Sequence, residues 1–146
     1  MNNTKETPTF SDSALQKAVK ELSPKIDSYH KSLDKISADI KSLETYLQKN
    51  GIGLDKSVGI GTYHEKEYSL RWEHWEPENK HRLTVAIYKD TGEKDENGWP
   101  EFKEENAYPL IECPAGIRIW ANEYLPSLVK EIKEAVVEMG KAKTQE

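Results

Sequence analysis

Residues 15–47 read LQKAVKELSPKIDSYHKSLDKISADIKSLETYL. Apolar side chains fall at Leu15, Val19, Leu22, Ile26, Tyr29, Leu33, Ile36, Ile40, Leu43 and Leu47, in alternating steps of four and three with no gap. A helix places residues so spaced on one side, and a strict 3.5-residue period marks a seam that packs against another helix. With Leu15 at heptad position d, Val19, Ile26, Leu33, Ile40 and Leu47 occupy a, while Leu15, Leu22, Tyr29, Ile36 and Leu43 occupy d. Both columns are wholly apolar. The side-chain oxygens of Ser11-Asp12-Ser13 can accept the orphan N–H groups of the first turn, and Asn50-Gly51 can end the helix.

Pro24 interrupts this pattern, because an interior proline removes one backbone hydrogen bond and clashes with the carbonyl four residues earlier. Either the helix kinks there, or Ser23 caps a second helix running from Pro24 to about residue 49. That second piece alone would be about 39 Å long, whereas a six-residue strand spans about 20 Å. A small sheet therefore cannot cover the whole stripe. Part of it must meet another helix or a second copy of the chain, which makes Ile26, Tyr29, Leu33, Ile36, Ile40, Leu43 and Leu47 the expected self-association residues. The competing arrangement is an intramolecular pair with the C-terminal segment. The flanking e and g columns carry few complementary charges, so they do not select an oligomer.

After the helix, the period changes from 3.5 to 2. Residues 56–63 (KSVGIGTY) read as a strand weakened by glycine, followed by a turn at His64-Glu65-Lys66. Tyr68, Leu70, Trp72 and His74 then alternate with polar or outward residues, as do His81, Leu83, Val85 and Ile87 beyond the turn 76–79. Closing that turn pairs Tyr68 with Ile87, Leu70 with Val85, Trp72 with Leu83 and His74 with His81. On the reverse face Glu73 then meets Arg82. A one-residue slip destroys both matches. A fourth strand is expected near Ala107–Cys113, and from Ile117 a broad apolar stripe predicts a C-terminal helix, kinked or restarted near Pro126.

The fold class is thus α+β: a long N-terminal heptad-patterned helix, a three- to four-stranded antiparallel meander and an amphipathic C-terminal helix. Residues 1–12 read as a disordered tail, 13–50 as a helical or coiled-coil segment, 51–140 as the α+β domain and 141–146 as a frayed tail. Within the domain, residues 90–106 read as a solvated acidic loop. Seven acids against Lys94 and Lys103 between positions 90 and 105 give that stretch a charge equal to the net −5 of the whole 146-residue chain.

Composition narrows the function classes. Apolar residues are few and charged residues make up 32%, so the scarce apolar side chains must be concentrated in stripes. No window approaches a membrane span, and the N-terminus lacks a basic-then-apolar signal. The single Cys113 forbids an internal disulfide and fits a cytoplasmic location. Net acidity argues against direct nucleic-acid binding and against an anionic membrane surface.

No residue pattern specifies catalysis or a cofactor. His74 and His81 could both face one metal ion, but zinc needs three or four ligands. Cys113 reads as a buried thiol at a strand end, not as a nucleophile. The outward sheet face offers Arg71, Trp75, Arg82 and Tyr88, and the acidic loop adds Asp95, Glu96 and Trp99. Nearby carboxylates would repel phosphate, so these candidates suit a protein partner. The expected function is a non-enzymatic interaction module, homodimeric through its first helix. Two alternatives are an acidic inhibitor that occupies a basic nucleic-acid-binding cleft and a metal-dependent enzyme using His74 and His81.

Overall fold

The computed structural model describes residues 7–144. The chain runs α1 (Ser13–Lys49), β1 (Lys56–Tyr63), β2 (Lys66–Trp75), β3 (Lys80–Lys94), β4 (Pro100–Pro109), α2 (Ala115–Asn122) and α3 (Leu125–Thr144), with single 3-10 turns at Glu76–Glu78 and Leu110–Glu112. The strands form one antiparallel sheet in the order β1-β2-β3-β4. This is the α+β architecture expected from the residue pattern.

Both ends of α1 are closed by the anticipated chemistry. Asp12 accepts hydrogen bonds from the Ala14 and Leu15 N–H groups. At the other end Gly51 takes a left-handed φ of +63°, its N–H reaches Gln48 O, and the Ile52 N–H reaches Leu47 O. That pair of bonds is a Schellman motif, which satisfies carbonyls the helix leaves open. Pro24 neither ends the helix nor starts a new one: α1 is continuous through it. The proline and Lys20, whose carbonyl loses its partner, are both solvent-exposed, so water can take over the missing bond.

The β2–β3 register is the one the alternation requires, from Tyr68 opposite Ile87 to His74 opposite His81. The expected Glu73–Arg82 ion pair is not formed, although the two residues are cross-strand partners. Glu73 instead accepts hydrogen bonds from Arg71 and Thr84, and Arg82 turns to Glu44, Glu78 and Glu112. A guanidinium with five donors is better satisfied by three carboxylates than by one.

The acidic stretch departs most from expectation. Instead of a loop, residues 90–94 and 100–106 continue β3 and β4 as a two-stranded ribbon, closed by a turn at 95–99. Asp95 organises that turn, its carboxylate accepting the Asn97 and Trp99 N–H groups. The fourth strand accordingly lies earlier than expected and ends at Pro109. Solvation of the charged side chains does not prevent the backbone from pairing. At the C-terminus the chain restarts as a new helix, with Pro126 in its first turn, where no N–H partner is required. Residues 141–144 continue that helix, while residues 1–6 and 145–146 of the expected tails lie outside the described residues.

One face of the sheet carries the core. Leu70, Trp72, Leu83 and Val85 meet Ile40 and Leu47 from α1, Ala121 from α2, and Leu125, Leu128 and Ile132 from α3. Trp120 packs over the backbone of β1 at Gly61, a bulge residue with φ +130°. A Cβ there would lie 3.0 Å from the indole, so both the backbone and the space require glycine.

Candidate functional site

The long apolar stripe divides into two parts with different fates. From Ile36 onward it belongs to the domain: Ile40 and Leu47 are buried, and Ile36 and Leu43 pack against the core. These four expected self-association residues are therefore committed within the chain. Before Ile36 none of the stripe residues joins the core. Leu15, Leu22, Ile26 and Tyr29 are 46%, 50%, 41% and 46% exposed, and Val19 and Leu33 are half-buried. From Ser13 to Leu33 this free half of α1 is about 30 Å long at 1.5 Å per residue.

A polar clamp fixes the base of the helix. β4 stops opposite Thr84, which leaves the edge of β3 open at residues 81–83. Side chains of α1 fill that edge in place of a strand: Glu44 accepts the Leu83 N–H at 2.9 Å, and Gln48, one turn later, donates to His81 O at 2.9 Å. The same Glu44 carboxylate accepts two hydrogen bonds from Arg82 at 3.1 Å, and Glu44 is only 8% exposed. Arg118 of α2 adds a 2.6 Å hydrogen bond to Ser37. The direction in which the free half leaves the domain is thus set by directional bonds as well as by packing.

The outward sheet candidates are engaged with one another or with α1. Arg71 donates to Tyr88, Glu104 and Glu73, and its guanidinium lies 5.3 Å from the Tyr88 ring centroid. Burial opposes the charge on Arg71, but the hydrogen bonds to Glu104 and Tyr88 outweigh it and raise its pKa. Arg82 is buried in its clamp, and Trp75 is half-buried at the end of β2. Asp95, Glu96 and Trp99 sit at the ribbon tip, where Trp99 is 69% exposed. The tip is about 23 Å along β3 from Tyr88 at 3.3 Å per residue, so the binding candidates do not form one patch. Two of the ribbon's acids are also paired with β2, Glu104 with Arg71 and Glu105 with Lys66 at 2.7 Å.

His74 and His81 face each other across β2 and β3 with ring centroids 5.9 Å apart. Their Nε2 atoms are directed elsewhere, that of His81 to Asp55 at 2.7 Å and that of His74 to Asn79 at 3.0 Å. Among the described residues no group of three or more His, Cys, Asp or Glu side chains is placed to hold a metal ion.

A cleft of about 830 Å³ between the sheet and α2 had no signal in the sequence. Tyr63, Tyr68, Ile87 and Tyr108 come from four different strands, and Ile117 and Trp120 from α2. Their separation along the chain hides the grouping. Alternation marks Tyr68 and Ile87 as core-facing, and only the placement of α2 shows where the core stops covering them.

Cys113 borders this cleft, buried and donating to Pro109 O at 3.4 Å. Burial pushes its thiol up to about 11, with Glu112 adding to the shift and Arg118 opposing it. Because the thiolate is the reactive form, alkylation by iodoacetamide at pH 7.5 should be about a hundredfold slower in the native protein than in denaturant. Mass spectrometry of the time course checks this, and equal rates in the two states would contradict it.

No helix among the described residues is long and apolar enough to cross a membrane. Comparison of the chain with protein-family models, with curated proteins and with solved structures finds no match.

Proposed function

We propose that this chain is a non-enzymatic protein–protein interaction module whose working element is the free half of α1. The observation that supports this reading is the continuity of the heptad. The stripe that packs the domain from Ile36 to Leu47 runs on in the same register through Leu15–Leu33 with no core residues against it. A contiguous exposed apolar stripe is unusual on a monomer, and a/d spacing suits insertion between the side chains of another helix. The clamp of Glu44, Gln48 and Arg82 holds the base of α1, which lowers the ordering cost of binding. A cytoplasmic setting accords with the single buried thiol.

The acidic ribbon supports a second reading, an inhibitor of a basic cleft, through the exposed Trp99 beside Asp95 and Glu96. Its binding would weaken steeply with salt, whereas an apolar helical seam would not.

Leu22→Asp/Ile26→Asp distinguishes the two readings without touching the core, since both side chains are exposed. In affinity capture from the source cell, wild type should retain partner polypeptides that the double variant loses, while the circular dichroism melt of the domain stays unchanged. Identical captured sets would refute the α1 reading.

A further inference from the structure

We infer that the partner of the free half of α1 is a second copy of this chain, lying antiparallel to the first with the two-fold axis crossing the seam between Leu22 and Ile26, level with Pro24. This rests on the reading of α1 as an interaction element and specifies its occupant. Two features lead to it, and a third is compatible with it.

The domain bounds the stripe on one side only. Beyond Leu33 the a and d side chains face their own sheet and α2, so a parallel copy in register would bring two domains together where each helix enters its own core. The two helices would have to splay apart there. An antiparallel copy avoids this crossing of two domains: α1 begins at Ser13, just before its first stripe residue, and the described residues ahead of it turn back onto the same helix, with Gln16 bonded to Pro8 O and the Phe10 N–H. Setting Leu15 of the second copy against Leu33 stops the contact where the free stripe stops, and the two domains then lie at opposite ends.

The free positions also match themselves in that direction. They run d, a, d, a, d, a from Leu15 to Leu33, and antiparallel packing forms layers between a and d. Leu15 meets Leu33, Val19 meets Tyr29 and Leu22 meets Ile26, the residue numbers in every pair adding to 48. Each layer occurs twice across the two-fold axis and no stripe residue is left over. Size supports the same direction: the small Val19 faces the large Tyr29, whereas a parallel pair would set Tyr29 on Tyr29 and Val19 on Val19. Facing large with small fills a seam more evenly.

Pro24 falls at f, the heptad position farthest from the seam. Its ring and Lys20, whose carbonyl has no N–H to meet at Pro24, are exposed and stay on the solvent side when the seam closes, so the break in the helix's own bonding lies outside the contact. In the flanking columns the only charge that meets its own kind is Lys25, exposed and close to the axis. Gln16, Ala18, Ser23 and Ser32 carry no charge.

The experiment uses the full chain in two forms, Leu15→Cys and Leu33→Cys, one bearing a tag so that the three possible dimers differ in mass. The pair is mixed and treated with a short bismaleimide. Position 15 of one copy faces position 33 of the other in the antiparallel arrangement, while the two copies of position 15 are about 27 Å apart along the axis. The tagged–untagged cross-link should dominate, and wild type, with only the buried Cys113, should give none. Cross-links of Leu15→Cys to itself would overturn the antiparallel arrangement. Sedimentation of wild type up to about 200 µM should show a dimer that Ile26→Asp weakens at least about tenfold. A strict monomer would overturn the second-copy assignment, and stripe-dependent capture of another polypeptide would then leave the α1 reading standing.

Discussion

Replacing Glu44 with alanine should destabilise the fold by about 3 kcal/mol, toward the lower end of the cost of removing one partner from a buried ion pair. One carboxylate performs three tasks there. It accepts two hydrogen bonds from Arg82 and one from the Leu83 N–H, and it joins α1 to the strand edge that β4 leaves open. Its loss strands a buried backbone donor and part of a guanidinium. Arg82 keeps Glu78 at 3.2 Å and Glu112 at 3.4 Å, which is why the effect falls short of the upper limit. Glu44→Gln retains an acceptor for Leu83 and should lose roughly half as much. Urea unfolding followed by circular dichroism measures both, with the slope unchanged if the transition remains two-state. A loss below about 1 kcal/mol for the alanine variant would mean that the base of α1 is held by packing alone.

Trp72→Ala should have the other large effect, about 3–5 kcal/mol, the usual cost of emptying a buried aromatic site. Trp72 is fully buried in the centre of the core and faces Leu83 across β2 and β3. Its indole N–H donates to Ile52 O at 2.8 Å, tying the segment after α1 to the sheet. Small domains are stable by about 5–15 kcal/mol, so this substitution removes a large share of the total. Trp72→Phe separates the contributions: it keeps most of the packing, leaves the Ile52 carbonyl without its donor and should cost about 1–3 kcal/mol. Near-equal melts for the two variants would show that the hydrogen bond, not the ring volume, dominates.

These two residues differ in how visible they are beforehand. Trp72 stands in an alternating strand whose register with residues 81–87 follows from matching apolar faces, and the structure reproduces that register pair by pair. Glu44 occupies an e position on a helix, where a carboxylate ordinarily faces water. Nothing local marks it as the ligand of a strand edge, because the open edge is created by the end of β4 at Pro109, 65 positions later. Arg82 escapes local reading for the same reason. Its cross-strand neighbour Glu73 is evident from the register, but the carboxylates that bind it come from α1 and from the turns flanking the sheet.

The ribbon and the cleft show two further ways in which local pattern falls short. Charge density suggests a loop at 90–106, yet backbone pairing depends on the geometry of both flanks and on the Asp95 turn, and exposed charged side chains do not oppose it. The cleft depends on where α2 fails to cover the sheet, a property of no single segment.

The sequence by itself determined the elements with strong periods and closed ends: a heptad-patterned helical segment between the Ser11-Asp12-Ser13 cluster and Asn50-Gly51, the β2–β3 register, and the α+β class. Such features arise from interactions within a helical turn or between adjacent strands, so spacing along the chain encodes them directly. Tertiary structure alone decided which part of the heptad stripe is buried, which carboxylate holds Arg82 and where the edge of β3 is closed. Those outcomes rest on contacts between segments far apart in the chain. A uniform stripe from Leu15 to Leu47 carries no mark at Ile36, and the boundary between core and free surface falls there because that is where the domain meets the helix.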